Sequence, residues 1–299
     1  MFSVITTKKI WFAISGVLIV GSILAVTIFG LRLGIDFTGG SLMEIELGAA
    51  SSTDELRTYI QNLGYTDVRV QPSENNDFLV RLPSVTEPEH QALLADLETG
   101  FGEIEEHRFQ SVGPVFGAEL MRKTLWAILL VLGLITLYVA YAFRKVADPI
   151  ASWKYGVITM IAAFHDIIIP VGVFAILGRF LEFQIDSAFV AAILTVLGYS
   201  INDTIVVFDR VRENLLHRSS AESLTDVVNK SIRQTAARSI NTSMTTLLAL
   251  TAVFFFGGES TRSFALALII GILSGTYSSI FIASPLLVVW EKWDLKRRS

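Results

Sequence analysis

The sequence predicts an α-helical polytopic membrane protein: six transmembrane helices, with an external α+β domain of ferredoxin-like order between the first and the second. Three observations predict it. Hydrophobic residues fill 52% of the 299 positions and charged residues 17%, with a mean hydropathy of +0.55, whereas an ordinary soluble domain carries about 25% charge. Six apolar runs are long enough to cross a bilayer. Between the first two lies a stretch with sixteen acidic and seven basic residues, 31–123, which must be solvated. Composition also excludes several functions. A net charge of −4 without a basic tract argues against a nucleic-acid partner. The absence of cysteine removes disulfides, thiolate metal sites and a thiol nucleophile.

Residues 1–30 form the first element. After Lys8 and Lys9, Ile10–Gly30 is apolar for 21 residues, longer than the roughly 7–15 of a secretory h-region, and no small-residue cleavage site closes it. At 1.5 Å per residue it reaches about 30 Å, the hydrocarbon thickness, so it reads as a retained helix.

The insert, 31–123, is legible piece by piece. "LMEIEL" alternates, with Met43, Ile45 and Leu47 on one face and Glu44 and Glu46 on the other. Ser52 and Glu55 form a capping box for a helix whose apolar face is Leu56, Tyr59, Ile60 and Leu63, stopped by Gly64. "DVRV" and "DFLVRL" read as strands joined by the turn-rich "QPSENN". Thr86 and Glu89 cap a second helix with Leu93, Leu94 and Leu97, ended near Gly100, and "EIEEHRFQSV" is the last strand. The order β-α-β-β-α-β is that of the split βαβ.

Residues 124–299 hold the other five spans, near 124–143, 154–177, 187–208, 240–257 and 263–290. Backbone groups must pair internally in lipid, so each is a helix. Lys8, Lys9, Arg144, Lys145, Lys154 and the basic residues of 209–238 and 292–298 fall on one side, and only Arg179 and Arg262 in the short loops opposite. The positive-inside rule makes both termini cytoplasmic and 31–123 external. Trp11, Trp126, Trp153, Trp290 and Trp293 all stand near a predicted boundary, as interfacial anchors do. In the connector 209–238, Leu224, Val227, Val228 and Ile232 repeat at helical spacing, which reads as an amphipathic helix on the membrane surface or a plain connector. Gly271 and Gly275, followed by Thr276, Ser278 and Ser279, make a small, polar stripe suited to close helix packing. Pro170 and Pro285 are expected to kink their helices.

The polar residues inside the spans carry the functional signal. An ionisable group at mid-membrane costs about 2.5–3.5 kcal/mol on insertion scales and normally faces a bundle interior or a cavity. Asp203, after Asn202 in "GYSIND", sits five residues before its run ends at Phe208, about 8 Å inside the boundary. It reads as a proton-exchanging carboxylate or as a structural one bonded to a neighbouring helix. Arg238, just before the fifth span, is its expected fixed charge, since arginine keeps its proton, or else a snorkelling anchor. Thr242 follows one turn later and can join the pair or a water chain. In the third span His165 and Asp166 are a further relay candidate or a buried pair. Their side chains diverge by about 100°, so they are not expected to share a contact. No second histidine at i+3 or i+4 completes a ligand set, so no metal is expected. Two intramembrane aspartates also raise an intramembrane aspartyl protease, but Asp166 and Asp203 lie at different depths.

Four stretches, "GIDFTGGSLMEIEL" (34–47), "FHDIII" (164–169), "GYSINDTIVVFDRVREN" (198–214) and "RSINTSMTTLLALTAVFFFGG" (238–258), resemble the SecF family of bacterial protein-export membrane proteins, within the resistance-nodulation-division superfamily. The resemblance covers nearly the whole chain, in order. It implies half of a resistance-nodulation-division bundle in the bacterial inner membrane, with 31–123 periplasmic. It further implies a non-enzymatic subunit that acts with SecD beside the SecY–SecE–SecG channel, with YajC and YidC as auxiliary contacts. Its work on the translocating preprotein draws on the proton-motive force, with protons as coupling ion and no other cofactor. The family's proton-pathway positions match Asp203, Arg238 and Thr242, with Asn202 adjoining. Two other classes remain open: a structural or assembly subunit that conducts nothing, and a half-unit of a drug or lipid exporter, which the small size of the external domain disfavours.

Overall fold

Apolar residues spaced by two, and by three or four, sort the chain into two units in the computed structural model, which describes residues 3–48, 52–73, 77–144, 150–219 and 221–298. Unit one is Met1–Arg32 with Trp126–Ser299; unit two is Leu33–Leu125. Residues 74–76 of the turn-rich stretch, and Lys145 among the orienting charges, lie outside the described residues.

Unit two begins with a four-residue helix α2 (Ile35–Thr38) that the alternation did not announce. It then runs β1 (Gly40–Leu47), α3 (Thr53–Asn62), β2 (Arg69–Pro72), β3 (Asp77–Leu82), α4 (Glu87–Phe101) and β4 (Ile104–Val112). The sheet order is β2-β3-β1-β4, antiparallel throughout, the split βαβ arrangement expected. Met43, Ile45 and Leu47 pack on Leu56, Ile60, Leu93 and Leu97 of the two helices. Each such burial is worth about 1.5–3 kcal/mol. Ser52 Oγ accepts from the Glu55 amide at 3.2 Å. Glu89 Oε2 accepts from both the Thr86 amide, 2.7 Å, and the Thr86 hydroxyl, 2.8 Å. Glycine is required at "GG": Gly39 and Gly40 have φ of 75° and 122°, and a Cβ on Gly39 would stand 2.7 Å from the Cα of Pro114.

In unit one the spans are α1 (Lys8–Phe29), α5 (Pro114–Ala142, shared with unit two), α6 (Ser152–Phe180), α7 (Ser187–Leu216), α8 (Leu224–Phe256) and the pair α9 (Glu259–Ser278) and α10 (Ser284–Arg298). Among the described residues, six helical stretches are long and apolar enough to cross a membrane. A π turn, Ser279–Ala283, joins α9 to α10. Pro285 has no amide proton for the carbonyl four residues earlier, so the α ladder breaks there. Pro170, by contrast, sits inside an uninterrupted α6. Glycines set the close approaches. A Cβ on Gly172 of α6 would collide with the backbone of Ser22 in α1, and one on Gly275 of α9 would meet Ser200 of α7 at 2.7 Å. The small stripe on α9 therefore packs within the chain. Phe143, Tyr155 and Phe208 interlock at one end of the core.

The amphipathic stretch of the connector turns its apolar face into the bundle. Leu224, Val227, Val228 and Ile232 are buried in the bundle core with Val211 and Leu215, and they begin α8 without a break before the span. The extended end of α7 covers that apolar face.

Two outcomes are expected. Gly172→Ala forces α1 off α6 and lowers stability by about 1–3 kcal/mol, read as a lower thermal midpoint in detergent; Gly16→Ala, with open space around its Cβ, leaves it unchanged. Hydrogen bonding from the Thr86 amide and then the Thr86 hydroxyl holds the Glu89 carboxyl below its ordinary value of 4.5. The α4 cap is therefore fully present above pH 4.5 and is lost as pH falls through the lower, folded value. Amide exchange at Thr86 should accelerate over that acid range in the native chain and show no such step in Glu89→Gln.

Candidate functional site

Two buried carboxylates lie within the helical unit among the described residues, in contrasting surroundings. Asp166 of α6 is fully buried at the meeting of three helices. Its Oδ2 accepts from Ser200 Oγ of α7 and from Ser278 Oγ of α9, the latter at 2.7 Å. Its Oδ1 accepts from Ser274 Oγ, 3.1 Å, and lies 2.8 Å from His165 Nδ1. Ser274 and Ser278 are one turn apart, so both hydroxyls reach the same carboxylate. Three hydroxyls and an imidazole thus replace the water that burial removed.

His165 departs from expectation. The two Cβ atoms diverge, yet the imidazole turns back to its neighbour because the Asp166–Ser274 cluster is where its Nδ1 finds polar partners. Its ring stacks on Tyr277, centroids 5.9 Å apart. Tyr277 is itself tied to α1: its hydroxyl donates to the Trp11 carbonyl, 2.9 Å, and accepts from Ser15 Oγ, 3.2 Å. His165 Nε2 is buried with no hydrogen-bond partner.

Asp203, one turn past Ser200 on α7, is only 7% exposed, but nothing comparable surrounds it. Its Oδ2 is shut from solvent without a hydrogen bond, as are the hydroxyls of Thr204 and Ser239. The polar groups acting on its carboxyl belong to α8: Ser239, which stands beside it outside hydrogen-bond geometry, and Arg238. Among the described residues no ion pair links Arg238 to Asp203. Arg238, Thr242 and Asn202 all lie on exposed positions of α8 and α7. The Thr242 hydroxyl donates to the Arg238 carbonyl, 2.9 Å. The structure therefore brings Asp203 beside the start of the α8 span and leaves Arg238, Thr242 and Asn202 facing outward.

Ser239 and Thr204 beside Asp203, and Ser200 and Ser274 on Asp166, were not singled out as site residues by sequence. The readable signal was a pair of serines at i, i+4 in an apolar run that also had to bury an aspartate from another helix.

This architecture defines a multi-pass membrane protein with an α+β domain after its first span and buried carboxylates in its bundle. The family model described as protein export membrane protein SecD/SecF, C-terminal, matches residues 93–293, and the SecD/SecF GG motif matches residues 24–50. The chain belongs to the SecD/SecF family. It is 43% identical to protein translocase subunit SecF of Thermobaculum terrenum, over 99% of this chain and 96% of that one. It is 40% identical to protein translocase subunit SecDF of Thermus thermophilus, over 88% of this chain and 35% of that one. The crystal structure of SecDF, a translocon-associated membrane protein from Thermus thermophilus, superposes with a TM-score of 0.84 at 35% identity over 97% of this chain. The chain spans 39% of the length of that structure's chain.

Asp166→Ala is expected to strand the Ser200 hydroxyl, at about 1–3 kcal/mol, to leave Ser274 on His165 and Ser278 on the Gly275 carbonyl, and to lower the thermal midpoint in detergent further than Ser200→Ala, Ser274→Ala or Ser278→Ala alone. Equal effects would mean that the three serines do not share one acceptor.

Proposed function

We propose that this chain is the SecF half of a proton-driven pair with SecD, and that Asp203 is the group whose protonation drives it. The pair sits in the bacterial inner membrane, with both termini cytoplasmic and residues 31–123 periplasmic. It uses the proton-motive force to promote the late stages of preprotein translocation and release, beside SecY–SecE–SecG and with YajC and YidC as further contacts. The chain itself is no enzyme, and the coupling ion is the proton.

The observation that carries this reading is the contrast between the two carboxylates. Asp166 is held by four donors and is thereby a fixed part of the packing. Asp203 keeps a buried oxygen without a partner, so it is free to exchange a proton for whatever faces it. What faces it is incomplete. The spans of α1, α5 and α8 leave most of their apolar surface outside the chain's own packing, whereas α6, α7 and α9–α10 bury half or more. Arg238, Asn241 and Thr242 stand on the uncovered side of α8, with Asn202 on α7. Charge and amides on a membrane-level surface call for a protein wall rather than lipid, and a second bundle of the SecD type supplies one. A relative in which the two subunits carry one name, SecDF, supports that pairing. Arg238 then acts as a permanent charge that tunes Asp203, and Thr242 and Asn202 line the proton's route. His165 is the secondary candidate, through its unpartnered Nε2, with Asp166 as its fixed partner.

Asp203→Asn in the complex with SecD tests this. Asn keeps size and polarity and cannot carry a proton. Preprotein release into vesicles should lose its stimulation by a proton gradient, while complex assembly and ATP-driven translocation persist. Unchanged stimulation would make Asp203 a structural group and send the search for the proton path to His165 beside Asp166.

A further inference from the structure

The open face of the sheet in unit two gathers acidic charge. The strand register sets Glu46 of β1 opposite Asp77 of β3 on one side and opposite Glu105 of β4 on the other. Three carboxylates thus stand side by side across three adjacent strands, and like charges placed directly opposite are destabilising. Into this row comes His107. β4 keeps Arg108 opposite Glu44 but Glu106 opposite Ile45, so His107 is the extra residue of a bulge and has no β1 partner. A bulge re-aims the side chain it carries. Here the ring lands among the carboxylates, with Nε2 3.3 Å from Asp77 Oδ1 and 3.6 Å from Glu46 Oε2, and Nδ1 3.8 Å from Glu105 Oε1. Asp77 Oδ1 is shut from solvent and accepts no hydrogen bond, although Nε2 is the atom beside it.

We propose that Glu46, Asp77 and His107 form a binding site for a divalent transition metal of the zinc class. One donor atom from each lies within 4.8 Å of the other two. Donors bound to one zinc at about 2.0–2.2 Å in a tetrahedron are separated by roughly 3.3–3.6 Å, which is the spacing of Nε2 from its two carboxylate oxygens. One imidazole with two carboxylates suits zinc; magnesium and calcium favour oxygen donors alone. Three protein ligands leave the fourth position open to water. Glu105 then has the place of an outer carboxylate, taking the Nδ1 proton and presenting Nε2 to the ion. The ion would neutralise the acidic row and tie β3, β1 and β4 together. Spacing along the chain cannot reveal this set, because its three members come from three strands. Imidazolium cannot bind the ion, so acid opposes binding.

The test uses the full-length chain in detergent, purified through a histidine-free tag and stripped with chelator. Zinc chloride is titrated by calorimetry at neutral pH into the native chain, His107→Gln, Asp77→Asn and His217→Gln. The site predicts one equivalent bound, a loss of at least about tenfold in affinity in His107→Gln and Asp77→Asn, no change in His217→Gln, and a zinc-dependent rise in thermal midpoint only where binding survives. Should the native chain give no heat above buffer, or His107→Gln bind zinc as the native chain does, the cluster holds no metal and the proposal fails. Asp77→Asn keeps the question decidable if the bulge of His107→Gln rearranges.

Discussion

A carboxylate taken out of water must find its donors in the protein, and the Asp166 carboxylate finds them on two other helices. Ser200 comes from α7, Ser274 and Ser278 from α9. Each bond fixes a depth and a rotation, because a hydroxyl on a helix reaches a given point from only one face. The close approaches follow from the same requirement. Ser200 meets Asp166 only where α7 lies against α9, and Gly275 is bare at that contact. Neutral helices in lipid gain little from hydrophobic contact with each other. Polar bonds and small residues therefore decide the packing, and this core concentrates both around one side chain.

The chain places its two aspartates so that one steadies the other. Asp166 anchors α7 at Ser200, and Asp203 lies one turn further along the same helix. A saturated hub one turn away fixes the rotation of the helix that carries Asp203. The uncovered side of α8 then gives the unsaturated aspartate something to answer to.

Much of this was legible along the sequence because membranes and sheets impose strict periods. Six apolar runs, the alternation of Met43, Ile45 and Leu47, and the caps at Ser52 and Thr86 each state a local rule that the fold obeys. What was not legible depended on contacts between distant segments. The amphipathic stretch at 224–232 reads equally as lipid-facing or core-facing, and only the length of α7 decides that it is covered. His165 and Asp166 diverge on an ideal helix, and only the serines of α9 draw them together. The four-residue α2 and the bulge at His107 have no periodic signature at all. Asp203 stood out because a charge in an apolar run is costly wherever it lies, but Ser239 and Thr204 beside it are ordinary small residues until the helices meet.

The π turn at Ser279–Ala283 amounts to an inserted residue. It advances everything after it by about 100° around the helix axis. Before it, Ser274 and Ser278 point into the core; after it, Leu287 and Val288 do, and Asp294 reaches Lys154. Along an unbroken α-helix every position after the turn would face about 100° away from where it stands. The last span therefore has two halves with different partners, the Asp166 carboxylate for the first and an apolar floor with the Lys154 ion pair for the second, and the turn lets each half meet its own.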